Sequence, residues 1–141
     1  MTELLAQLWL PTDLDTAQAH LEAALKSQGF GVLTFVDLQA TLRAKLGVDW
    51  PGHRVVGACN PALAHRALQA EPRIALLLPC NITLEAADHG VRVTIPRPDA
   101  LLAAHLDHAE VRAVAAEAQA RLEAVAQALL AAVREPQATV A

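Results

Sequence analysis

Two short phrases carry the residue types best suited to chemistry, Cys59-Asn60-Pro61 and Pro79-Cys80-Asn81. Each sets a thiol beside a carboxamide and a proline. If the strands that carry them are neighbours, Cys59, Asn60, Cys80 and Asn81 meet in one small patch able to hold a ligand. Cys59 stands just ahead of a helix start, where free N–H groups and the helix dipole favour a thiolate. A nucleophile needs a base beside it, and His65, one turn after Pro61, is the candidate. Cys59 and His65 are therefore the candidate catalytic pair. The plainer reading is that free cysteines are small buried hydrophobes, and Cys80 alternates in phase with Leu78, Ile82 and Leu84. Asn60 is explained as a helix cap. Asn81 is poorly suited to a strand; it either satisfies backbone disturbed by Pro79 or points into a pocket.

Other chemistries lack their residues. Zinc sites bring cysteines in close pairs, and these two are far apart in the chain. His53, His65, His105 and His108 complete no ligand set, so neither a metal nor a cofactor is expected. The sequence has no nucleophile elbow, phosphate-cradling glycine loop or paired-carboxylate arrangement.

The elements that would position the patch fit one domain. The chain has 141 residues, 54% hydrophobic and 18% charged, a globular balance. There is no Tyr and only two Phe and two Trp, so the core is aliphatic and base-stacking surfaces are not expected. The net charge of −4 comes without any basic run, which argues against nucleic acid and anionic membrane as partners. No apolar run is long enough to span a bilayer, and Met1-Thr2-Glu3-Leu4-Leu5 lacks the basic start of a signal peptide. With two separated cysteines, this predicts a cytoplasmic protein with free thiols.

Residues 3–10 alternate as a first strand. Thr12 or Asp13 then caps a helix striped by Leu14, Ala17, Leu21, Ala24 and Leu25, which Gly29 ends. Residues 30–36 read as a strand, Asp37 as the cap of a short helix with Leu38 and Leu42 inward, and residues 53–59 as a third strand. Asn60-Pro61 opens the next helix, since Pro tolerates the first helical position and Asn is a strong cap. Residues 74–85 read as a strand covered on both faces. Asp88-His89-Gly90 turns the chain into a partner in which Val91, Val93 and Ile95 alternate with Arg92 and Thr94. A short helical piece around residues 100–105 follows. Asp107 and Glu110 open a long helix with Val111, Val114, Ala118, Leu122, Val125, Leu129 and Val133 on one face. The domain is predicted to span residues 1–134, with a loose tail at 135–141. The order predicts an α+β fold: a mainly antiparallel sheet with helices packed on it and a long C-terminal helix.

Three phrases, Gly29-Phe30-Gly31-Val32-Leu33, Gly57-Ala58-Cys59-Asn60-Pro61 with Ala64, and Leu77-Leu78-Pro79-Cys80-Asn81, resemble the family known as domain of unknown function 302. The similarity runs in order from about Thr12 to Ile95. It implies a compact α+β fold similar to the TATA-box-binding-protein-like class, and a homodimer. It implies no activity, and fold likeness is no argument for DNA binding. The expectation is a homodimeric protein that binds a small molecule or partner around Cys59, Asn60, Cys80 and Asn81. The rivals are a thiol-dependent enzyme or redox protein using Cys59, and a purely structural assembly module.

Overall fold

Asp13, Asp37 and Asn60 start three helices by the same device. Each is extended, and its side-chain oxygen accepts a backbone N–H of the first turn, from Thr16, Ala40 and Leu63 respectively. The computed structural model describes residues 3–134; the predicted loose tail lies outside them. In order come β1 (Leu4–Leu10), α1 (Leu14–Ser27), β2 (Gly31–Asp37), α2 (Leu38–Leu46), β3 (His53–Cys59) and α3 (Pro61–Ala70). A 3-10 segment (Pro72–Leu77), β4 (Cys80–Ala87), β5 (Gly90–Pro96), α4 (Pro98–Leu101), a second 3-10 turn (Ala103–His105) and α5 (Ala109–Arg134) complete the chain.

The five strands form one antiparallel sheet in the order β1-β5-β4-β3-β2, so the first two strands in sequence become the two edges. The fold is α+β, as expected. One sheet face is dry: Leu10, Val56, Ile82, Leu84, Val91, Val93 and Ile95 are all buried against α1 and α5. Across the strands these residues stand opposite one another, Val56 with Ile82 and Leu84 with Val93. The other face keeps Thr83 opposite Thr94 and Glu85 opposite Arg92, polar pairs suited to water.

A second apolar cluster lies beside the first. Leu63 and Ala67 of α3, Ile74, Leu102 and the first half of α5 (Val111, Val114, Ala115) form it. The long helix thus serves both clusters, its later residues Leu122, Val125, Ala126 and Leu129 lying on the sheet. Its 26 residues extend about 39 Å at 1.5 Å each, long enough for both tasks. Asn60 fixes how α3 meets α1: its Nδ2 donates to the Gln28 carbonyl at 3.3 Å while its Oδ1 accepts from Leu63 N–H at 3.2 Å. Gly29 makes room for this, with φ +84 and space in which a Cβ would come 3.0 Å from Asn60 Nδ2.

Three expectations need correction. Residues 74–78 are not strand: Pro72 opens a 3-10 segment, Ile74 turns fully inward, and Pro79 precedes the strand instead of interrupting it. The α5 start is capped by His108, whose Nδ1 accepts Glu110 N–H at 3.2 Å, and not by Asp107. Helix α2 buries no residue, with Leu38 and Leu42 only half-buried.

Two substitutions test this frame. A Cβ at Gly90 would lie 2.5 Å from the Trp9 ring and 2.7 Å from the Leu10 carbonyl, and the backbone oxygen cannot step aside. Gly90→Ala should cost about 1–3 kcal/mol, read as a lower urea midpoint; Gly31→Ala, which meets nothing within 4 Å, should stay within about 0.5 kcal/mol. Asn60→Ala removes a cap and an inter-helix bond together and should cost about 2 kcal/mol in the same measurement. A midpoint unchanged by Asn60→Ala would mean that the latch is ornamental.

Candidate functional site

Between the two apolar clusters the packing leaves a cavity of about 80 Å³. Phe30 and Ala58 close it on the sheet side, Leu63, Ala64 and Ala67 from α3, and Ile74, Leu77 and Leu78 from the 3-10 segment. Pro98, Leu101 and Leu102 from the α4 region and Val114, Ala118 and Leu122 from α5 complete the wall. It forms because half of the residues facing it from α3 and α5, Ala64, Ala67 and Ala118, are alanines, which leave space between the two helices unfilled.

Three of the four patch residues meet here. Cys59, Asn60 and Cys80 all line the cavity, brought together because Cys80 pairs directly with Ala58, the residue before Cys59. Asn81 does not join them. It pairs with Gly57 and is exposed on the opposite sheet face. His65 stands on the exposed side of α3, turned away from Leu63 and Ala67, and is not part of the cavity wall. The sequence pair of nucleophile and base is therefore not assembled at this site.

Both cysteines are free and half-buried. Burial alone pushes their thiols up from 9.0, Cys80 to about 11, because a thiolate would lose its hydration there. The expected acidification of Cys59 by the α3 start is overturned. Burial sets the direction, and one first-turn N–H of that helix, that of Leu63, is already held by Asn60 Oδ1. Asn60 itself is buried and bonded at both ends of its amide, so the group is committed to the junction of α1 and α3.

Polar groups brace the elements that carry the cavity walls. Arg66 of α3 donates to Glu110 at 2.7 Å and to Glu117 at 3.3 Å, both on α5. Glu71 accepts from Arg73 N–H at 3.2 Å and from its guanidinium, which holds the carboxyl down to about 2 and fixes the start of the 3-10 wall. Among the described residues, no group of three or more His, Cys, Asp or Glu gathers to hold a metal ion. No helix there is long and apolar enough to cross a membrane.

Sequence reasoning missed the 3-10 wall and the α4 wall. Ile74, Leu77 and Leu78 had been assigned to a strand, and the only signal against that was the bracketing pair Pro72 and Pro79. Leu101 and Leu102 carried no signal beyond being apolar in a short helical piece.

Comparison with known proteins places the chain. Residues 7–129 match the family model described as Domain of unknown function DUF302. No curated protein matches the chain in sequence. Among solved structures, the crystal structure of uncharacterized conserved protein DUF302 from Bacillus stearothermophilus is similar with a TM-score of 0.79 and 25% identity, over 88% of this chain and 96% of that one. The family match covers nearly the whole of both apolar clusters and every wall of the cavity, and the chain belongs to the DUF302 family.

Proposed function

We propose that this protein is a cytosolic, homodimeric binding protein that takes the apolar end of a small ligand into the cavity between α3, the 3-10 segment, α4 and α5. One observation carries the reading: a cavity whose walls are apolar and whose single carboxamide, Asn60, is committed to the junction of α1 and α3. Such a site offers nothing to a charge and everything to hydrocarbon. Its volume of about 80 Å³ is well below the roughly 300–1,000 Å³ of pockets that enclose a whole small molecule. Only the tip of a ligand fits, and its polar remainder stays outside. Free thiols favour a reducing compartment. The homodimer follows from the family resemblance and is supported by the apolar side chains exposed on β2.

The thiol-enzyme reading is weaker. It needs a base beside Cys59, and His65 faces away; it needs a thiolate, and burial opposes one.

The binding reading is tested by titrating isotope-labelled protein with n-hexanol and following backbone amides. Saturable shifts should concentrate at Ala64, Ala67, Val114 and Ala118. Ala118→Leu, which fills the space from a half-buried position, should weaken the apparent affinity at least tenfold. Non-saturable shifts spread over the surface would refute the site.

The thiols give an independent check. At pH 7 both should alkylate slowly with iodoacetamide, Cys80 more slowly as the deeper of the two, and saturating hexanol should slow both. A thiol raised on folding stabilises the native state fully below its unfolded value and loses that contribution as pH climbs through the folded one. For Cys80 the window runs from 9.0 to about 11. Stability should fall across it, and Cys80→Ala should flatten that part of the profile. Fast alkylation of Cys59 at neutral pH would instead restore the enzyme reading.

A further inference from the structure

We infer that β2 is the seam at which a second copy of this chain pairs, edge to edge and antiparallel, to continue the sheet from one copy into the other. This rests on the homodimer reading above and adds to it the surface and the register.

Strand β2 bonds only to β3, so its outer row of N–H and C=O groups faces no strand. Its large side chains are also exposed on both faces, although α1 lies against part of the strand. Val32 is 37% exposed, Leu33 65%, Phe35 49% and Val36 42%, whereas Val56, directly opposite Phe35 on β3, is 0% exposed. The cover given by α1 therefore thins at the edge strand, where it reaches Phe35 without burying it. Natural edge strands are blunted by Lys, Pro, inward charge or a bulge, and of these β2 has only the irregularity between Val32 and Thr34. From Gly31 to Val36 there is no charge and no Pro, and Asp37 is engaged in capping α2. The other edge differs: of the large apolar residues on β1, Trp9 alone is markedly exposed, and Leu10 is fully buried. The two edges are not equivalent, and β2 is the one left apolar.

A second copy fits this strand better than a charged partner segment would. Val32 and Phe35 share the helix side of the sheet, facing Ala58 and Val56; Thr34 and Val36 share the other, facing Gly57 and Val55. A twofold axis through Phe35 keeps these sides in register. It sets Phe35 against the partner's Phe35, Val36 against the partner's Thr34, and Asp37 against the partner's Leu33. No charge then meets a like charge. For a chain of net charge −4, an uncharged strand is where two copies meet with least repulsion. Four large side chains per copy remove on the order of several hundred Å² from water, below the roughly 800 Å² per partner of standard stable interfaces. The dimer should therefore be reversible and concentration-dependent.

Sedimentation of the full chain tests this. The wild type should shift from monomer to dimer between low and high micromolar concentration. Phe35→Glu and Phe35→Lys, each at a half-exposed position and each checked for an unchanged melting curve, should self-associate at least tenfold more weakly. Mixed in equal amounts they should recover the dimer, because the twofold axis brings position 35 against its own copy. A wild type that stays monomeric throughout overturns the dimer reading and the seam together. A dimer that survives both substitutions overturns the seam alone. Loss of association without recovery on mixing overturns the Phe35-centred register. The hexanol titration on the same variants should be unchanged, so a failure of the cavity and a failure of the seam read out separately.

Discussion

The carbonyl of Gln28 is the point on which the cavity depends. It ends α1, where the last carbonyls of a helix have no partner within it, and it accepts from Asn60 Nδ2 and Arg121 Nη1, each at 3.3 Å. One oxygen thus joins the end of α1, the start of α3 and the middle of α5. Arg121 also meets Glu117, which meets Arg66, which meets Glu110. This polar line runs from the α1 terminus along the side where α3 docks on α5. It sets the distance between those helices from outside their apolar contact.

With that distance fixed, the side chains between the helices decide how full the interior is. Ala64 and Ala67 face Ala118 across the gap, and none is large enough to close it. Interiors normally pack without voids of this size. A chain with only a few aromatic residues has few large side chains with which to fill the gap. The same small residues that let the helices approach are those that leave room for a ligand.

The sequence made the local punctuation legible and the packing of the second cluster illegible. Asp37 and Asn60-Pro61 act within one turn of their own position, so their roles follow from residue type, and the α5 stripe follows from its period. The α+β architecture followed from the element order and the family resemblance. The run from Ile74 to Leu78 did not yield to the same reading, because a short apolar stretch looks alike as strand or as tight helix. Its true state depends on Ile74 finding Leu63, Leu102 and Val111, contacts made across long separations. Asn81 falls outside the patch for a related reason. Cys80 and Asn81 are adjacent in sequence but point to opposite faces of β4, and which face is dry depends on where α1 and α5 lie.

Strand β3 links the two surfaces. Val56 and Ala58 stand between Phe35 and Val32 on one side and Ile82 and Cys80 on the other. The row that ends at the exposed seam thus begins at the cavity wall, one strand pairing away. Both Val56 and Ala58 are fully or almost fully buried, so this strand is held firmly while its two neighbours carry exposed or cavity-facing groups. A rigid strand beside the proposed cavity and the proposed seam is the arrangement expected when binding geometry is fixed by the core and not by loops. It also explains why Asn60, immediately after β3, is the residue given the latch. Any looseness there would reach the cavity through Cys59 and the sheet edge through Ala58 together.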